Sequence, residues 1–206
     1  MTPLPCSPAA DNNKQPILEV LRSALPARGN ALEIASGTGQ HVAWFAAALS
    51  GWRWQPTDAD RDNLSAIAAW SAASGAANIQ APLWLDVMAA QWLATGRPST
   101  LPFDAIYCAN MLHIAPWAAT AALMQGCGRH LAQDGLLILY GPYLEDAVPT
   151  APGNVAFDLD LRRRDPAWGI RRLEDVVAQA ETAGMGLQAR HPMPANNLLL
   201  FFRRSA

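Results

Sequence analysis

The most specific chemistry in this chain of 206 residues lies between positions 31 and 41. An apolar run, Ala31-Leu32-Glu33-Ile34, breaks into Ala35-Ser36-Gly37-Thr38-Gly39 and resumes after Gln40-His41 in a stretch with Trp44, Phe45 and Leu49. That order reads as strand, tight turn and helix. Gly37 and Gly39 have no Cβ, so the backbone can take turn dihedrals and approach a bound molecule, while free N–H groups at the helix start face the same space. Glu33, Ala35, Ser36, Gly37, Thr38, Gly39 and His41 are therefore candidates for a ligand cradle, although the same glycines suit a bare strand-to-helix turn. The spacing separates two ligand classes. A dinucleotide fingerprint, G-x-G-x-x-G, needs a glycine one residue later than this turn supplies it, and Glu33 would repel a pyrophosphate but attract an ammonium group.

A second acid falls about 20 residues further on, where a carboxylate can bond ribose hydroxyls. Asp58 ends the stretch Trp52-Arg53-Trp54-Gln55-Pro56-Thr57 and is the ribose candidate, with an N-cap for the next helix as its other reading and Asp60 better suited to that cap. Downstream, Phe103-Asp104-Ala105-Ile106-Tyr107-Cys108-Ala109 is apolar enough for a central parallel strand, and Asn110 and His113 stand just past its end. In open α/β sheets ligands bind at that edge, which makes both substrate-side candidates and Asn110 a cofactor-binding candidate as well. A histidine there has a pKa suited to general base work near neutral pH; a capping or packing histidine is the other reading.

Positioning these residues takes an alternation of strands and helices. Ile17, Leu18, Leu21 and Leu25 mark an amphipathic helix before the first strand, preceded by Asp11-Asn12-Asn13 as caps. Residues 1–28 thus read as an extra helix that either covers a sheet edge or acts as a lid, folding a leading loop with Asn13 and Lys14 over the ligand mouth. Further helices are expected at 61–73, 116–131 and 173–183, and strands at 79–85, 136–140, 185–190 and 198–203, for seven strands in all. Residues 96–102 read as a loop. Asp86, with Val87, ends the third strand or caps a short helix over 88–93. Gly141-Pro142-Tyr143 closes the fifth strand and makes Tyr143 a further substrate-side candidate. From 144 to 170 the periodicity lapses, a length better suited to a cap over the substrate than to an ordinary connection, with a solvated, partly helical insertion with a charged face as the other reading. Phe157, Leu161 and Trp168 would wall it, and Arg162, Arg164, Arg171 and Arg172 offer forked donors to a carboxylate or phosphate, Arg171 foremost.

Composition bounds the rest. Half the residues are apolar and 16% are charged, which fits one soluble domain over 1–206, and a net charge of −2 provides no basic face for nucleic acid or an anionic membrane. Three scattered cysteines, Cys6, Cys108 and Cys127, fit reduced thiols in the cytoplasm and no metal site. Of the 15 basic residues only Lys14 is a lysine, as in a GC-rich bacterium. The expected partner is a small molecule, the chain acting as monomer or homodimer.

Glu33 to Gly39 resembles motif I of the class I S-adenosylmethionine (SAM) methyltransferases, E/D-x-G-x-G-x-G, with Ala35 in the first glycine's place. Ser7-Pro8-Ala9-Ala10, Asn13 to Leu18, Ser36 to His41, Asn110 to Ile114, Phe157-Asp158 to Asp165-Pro166, Trp168 to Arg171 and Met193 to Asn197 resemble the methyltransferase-like 26 family. The resemblance implies a Rossmann-like α/β fold, mostly parallel, with a carboxyl-terminal antiparallel hairpin and helices on both faces. It also implies SAM as cofactor, with Asp86 and Val87 at the adenine. The expected activity is methyl transfer to O, N or S of a small molecule, an anionic one included, with His113, Asn110, Arg171 and Tyr143 as catalytic candidates. A SAM-binding sensor or partner subunit is the alternative. Asn110 is followed by Met111-Leu112 and not by Pro-Pro-Tyr, which argues against methylation of nucleic-acid amino groups.

Overall fold

Ser7 opens the first helix one turn earlier than the sequence suggests. Its hydroxyl accepts from the Ala10 N–H, Pro8 occupies the first turn where no N–H is needed, and α1 runs Pro8–Ala24 with Ile17, Leu18 and Leu21 buried. Asn13 and Lys14 therefore lie inside the helix, not in a loop leading to it. A computed structural model describes residues 3–93 and 102–204, and it divides into two units, Met1–Tyr107 and Cys108–Ala206.

In the first unit β1 (Gly29–Ile34) lies parallel to β2 (Trp52–Asp58), with α2 (Gln40–Ala48) as the crossover. Next come α3 (Asn63–Ser74), β3 (Leu83–Trp84) parallel to β2, and β4 (Phe103–Ala109), whose last residues pass into the second unit; the strand order is β3-β2-β1-β4. Phe45, Trp52, Trp54, Ile67 and Tyr107 are buried between these elements, and burial of such side chains contributes roughly 1.5–3 kcal/mol each. Gly75, at φ 68°, ends α3 as a left-handed cap. The strand expected over 79–85 shortens to β3 plus a single bridge from Ile79 to Trp54, and the helix expected over 88–93 is a run of turns and bends. Most of the loop expected over 96–102 falls outside the described residues.

The second unit continues from β4 through a 3-10 turn (Leu112–Ile114), α4 (Trp117–His130), β5 (Leu131–Leu144), α5 (Pro152–Arg164), β6 (Arg171–Arg172), α6 (Leu173–Glu181), β7 (Met185–Met193), a second 3-10 turn (Pro194–Asn196) and β8 (Asn197–Arg204). The two-residue β6, parallel to the end of β5, brings the count among the described residues to eight strands where seven were expected. β8 pairs antiparallel with β5 from Leu136 to Pro142, and with β7, in the order β5-β8-β7. This is the mostly parallel α/β fold with a carboxyl-terminal antiparallel hairpin that the sequence suggested. The lapse of periodicity after residue 144 also has its cause: α5 buries only Leu161 and leaves Val155, Phe157 and Leu159 exposed, so it carries no apolar stripe. No helix among the described residues is long and apolar enough to cross a membrane.

Candidate functional site

In the first unit the cradle is built at the carboxyl ends of β1 and β2. Ser36 donates its N–H to the Thr57 carbonyl at 2.9 Å and accepts the Thr57 N–H on its hydroxyl at 3.2 Å, while the Thr57 hydroxyl donates to the Glu33 carbonyl at 2.7 Å. Asp58, buried, accepts from the Gly37 N–H at 2.8 Å, the Asp60 N–H at 2.9 Å and the Asn63 amide at 3.2 Å. It thus braces the turn directly. The N-cap position of α3 belongs to Asp62, whose N–H donates to the Asp60 carboxylate at 3.0 Å.

The two glycines do different work. Gly39, at φ 87°, lies so close to α3 that a Cβ on it would come within 2.7 Å of the Ile67 Cα, whereas a Cβ on Gly37, at φ 57°, would meet nothing within 4 Å. One glycine packs the helices and the other faces open space. Ala35 holds φ 55°, a left-handed conformation that costs a non-glycine residue roughly 1–2 kcal/mol. Ala35→Gly should therefore leave the affinity for a ligand held by this turn, read by isothermal titration, unchanged or improved; a marked loss with an intact fold would show that the turn needs the methyl group.

Glu33 is 1% exposed, and its Oε2 has no hydrogen-bond partner. Burial pushes its carboxyl up to about 8, the Ser36 hydroxyl opposes that, and the Asp58 charge adds to it. A buried carboxyl with a vacant acceptor suits a cation, and the ammonium of a ligand would complete it. Asp86 accepts the Met88 N–H at 2.8 Å, closing a turn and not a helix. With Arg61, Leu64, Trp84 and Leu93 it lines a cavity of about 400 Å³, and Val87 beside it is buried.

Two of the candidates, His41 and Asn13, hold each other instead. His41 Nε2 lies 2.6 Å from Asn13 Oδ1 and Nδ1 lies 3.3 Å from the Tyr107 hydroxyl, so the ring ties α2 to α1 and to β4. Burial, with Lys14 nearby, holds His41 down to about 4, so the neutral ring donates from Nε2 and accepts at Nδ1. Lys14 pairs with Asp11 and sits 4.8 Å from the Trp44 ring centre. Gln40 is the residue the sequence reading passed over. Its Oε1 accepts the Ser7 N–H at 2.5 Å and the Thr38 hydroxyl at 2.9 Å, and its amide donates to Cys6 Sγ, which fastens the amino-terminal segment to the glycine turn. Its position directly after Gly39 was the available signal.

In the second unit Asn110, at φ 60°, donates its N–H to the Tyr140 carbonyl at 2.8 Å. A Cβ on Gly141 would sit 3.4 Å from His113 Nδ1 and 3.6 Å from Asn110 Oδ1, so glycine there lets both side chains close over β5. The His113 ring meets Phe157 of α5 edge-on at 5.5 Å, and its carbonyl accepts the Gly169 N–H at 3.0 Å. The segment 144–170 thus folds onto His113. The surroundings of two candidates bear on their roles. Burial, reinforced by the Arg171 charge, holds His113 down to about 4, so it is neutral but a poor base at pH 7. Arg171 donates from Nε to the Leu112 carbonyl at 2.9 Å and from Nη2 to the Ala115 and Ala167 carbonyls at 2.5 and 2.8 Å, which commits those two nitrogens to the protein. Tyr143 is buried, and burial pushes its hydroxyl up, which keeps it protonated.

The chain matches, over residues 4–204, the family described as "Protein of unknown function (DUF938)", and it belongs to that family. Its fold is similar to solved structures. An O-methyltransferase family protein from Burkholderia thailandensis is 15% identical with a TM-score of 0.77, the match covering 94% of this chain and 56% of that one. A methyltransferase of calicheamicin biosynthesis in its SAH-bound form is 13% identical with a TM-score of 0.74, over 94% and 54%. An O-methyltransferase family 2 protein from Planctomyces limnophilus, in complex with apigenin, is 19% identical with a TM-score of 0.77, over 95% and 57%. The chain spans little more than half the length of these three, and the likeness is one of fold.

Proposed function

We propose that this member of the DUF938 family is a SAM-dependent methyltransferase acting on a small molecule, with O, N or S as the accepting atom. One observation carries the reading: a buried carboxyl, Glu33, with an unpartnered oxygen at the foot of a glycine turn whose Gly37 faces open space. The SAH-bound neighbour supports the choice of cofactor, as do the strings that resemble the methyltransferase-like 26 family. In this reading Glu33 receives the ammonium, Ser36, Gly37 and Thr38 line the methionine end, Asp58 takes the ribose hydroxyls, and Asp86 with Val87 borders the adenine. SAM, when bound, supplies a methyl group already activated on a sulfonium. The residues then have to orient an acceptor lone pair and exclude water.

On the acceptor side we assign Asn110 and His113 to hydrogen bonding, Tyr143 to the wall and residues 144–170 to the cap. His113 is unprotonated at neutral pH and can accept a hydrogen bond, but its low proton affinity makes it a positioning group and a weak base. Arg171, committed to three carbonyls, shapes the 3-10 turn that carries His113. The weak base also favours a second reading, a SAM-binding sensor without turnover.

Titration with SAM and its demethylated product, followed by a methyl-donor turnover screen, separates the two. Phe157→Ala should lower turnover by about tenfold or more, through a misplaced acceptor, while SAM affinity stays within about twofold. Binding without turnover for any acceptor in the screen would establish the sensor. Collapse of SAM affinity in a folded Phe157→Ala variant would overturn the cap.

A further inference from the structure

The second unit contains a cleft of about 210 Å³ where the end of β5, the start of α5 and the corner between β7 and β8 meet. Tyr143, Val148, Met193 and Leu198 give it apolar walls, while Asn154 and Asn197 bring side-chain amides. Glu145 and Arg190 complete the lining as a closed fork, Nε to Oε2 and Nη2 to Oε1, each at 2.7 Å. Both carboxylate oxygens and two guanidinium donors are thereby committed, and the wall carries paired charges. A carboxylate ligand would have to compete with Glu145 for the fork, and an ammonium would have to compete with Arg190.

The other arginines that made an anion plausible also have neighbours within the chain. Arg162 donates to Asp158 at 2.8 Å, Arg164 stacks over Trp168 at 5.2 Å, Arg171 holds three carbonyls, and Arg172 pairs with Asp146. The amides add direction. Asn154 donates to the Asn196 carbonyl at 3.1 Å, and Asn197 donates to the Pro194 and Ala195 carbonyls at 2.9 and 3.3 Å, which leaves the amide oxygens to accept. Those bonds hold a strained corner: Ala195 and Asn196 are consecutive left-handed residues at φ 57° and 56°. Two such residues in succession persist only where their surroundings over-determine them, as at ligand clamps.

We infer that this cleft binds an uncharged, hydrogen-bond-donating small molecule with an apolar body, held beside the β7–β8 corner of the second unit. The site selects by polarity: an uncharged ligand leaves the Glu145–Arg190 fork closed and gives its donors to the Asn154 and Asn197 oxygens.

Three congeners of similar size test this with the full chain, without SAM: benzyl alcohol, benzoate and benzylamine at pH 7, followed by amide chemical shifts and dissociation constants. Benzyl alcohol should move the Asn154 and Asn197 side-chain signals and bind about tenfold more tightly than either ion, a difference of about 1.4 kcal/mol. Glu145→Gln frees the guanidinium and should move the preference to benzoate; Arg190→Gln should move it to benzylamine. Thermal unfolding checks that each variant folds, and either one alone suffices. Equal affinities for the three probes, unmoved amide signals, or an unchanged order in a folded variant would overturn the proposal. Because SAM is absent, a selective cleft in a protein that fails to bind SAM would keep this inference and remove the methyltransferase reading.

Discussion

If SAM is the cofactor, Glu33→Gln should lower its affinity by about tenfold to a hundredfold, the worth of a charge-assisted hydrogen bond of roughly 1.5–3 kcal/mol. The same substitution changes how binding and stability respond to pH. In the free protein Glu33 titrates near 8, so at pH 6 it is protonated and must lose its proton to meet an ammonium. SAM affinity should then rise by up to about tenfold per pH unit between 6 and 8 in the native chain and stay flat in Glu33→Gln. Stability runs the other way. Unfolded, the carboxyl titrates at 4.5; folded, near 8, so between these values the folded state holds a proton that the unfolded state has released. The stability Glu33 contributes is complete below 4.5 and is lost as pH rises through 8, by about 1.4 kcal/mol per unit at the steepest. The variant should therefore gain thermal stability relative to the native chain at pH 8. A Glu33→Gln protein that binds SAM as the native chain does, at every pH, would dismiss the ammonium assignment.

Asp58→Ala should weaken SAM binding by about a hundredfold and also lower stability by about 1–3 kcal/mol, because three donors lose their acceptor at once. The Gly37 N–H, the Asp60 N–H and the Asn63 amide all point at this carboxylate, so the substitution unpins the turn as well as removing a ribose partner. Asp60→Ala, which removes only the acceptor of the Asp62 N–H, should change affinity by less than about twofold. Titration calorimetry read beside thermal unfolding distinguishes lost contact from lost fold, since Asp58→Asn keeps an acceptor oxygen and should retain most of the stability while binding SAM less well. Equal affinities in Asp58→Ala and Asp60→Ala would mean that the ribose partner lies elsewhere.

What the sequence by itself determined is what local backbone chemistry can encode. The turn at 35–39 is readable because positive φ selects for glycine, and the structure duly places Gly37, Gly39 and the strained Ala35 in that region. Gly75 and Gly184 end helices or turns for the same reason, at φ 68° and 74°. The run Phe103 to Ala109 and the run around Leu136 to Tyr140 are strands because their apolar continuity suits elements buried on two faces. The start of α1 was misplaced where two cap signals compete, Ser7 before Pro8 against Asp11 and the asparagines, and the helix took the earlier one.

Which polar atom meets which was decided by tertiary structure alone. Asn13 and His41 are 28 residues apart, and nothing near either says that they satisfy each other. Arg171 was expected to offer its fork to an anion, yet two of the carbonyls it donates to, Leu112 and Ala115, lie 59 and 56 residues away. Proton affinities follow the same rule. Glu33 rises and His113 falls because folding removes water from around them, a property of the packed neighbourhood that residue type and spacing do not carry.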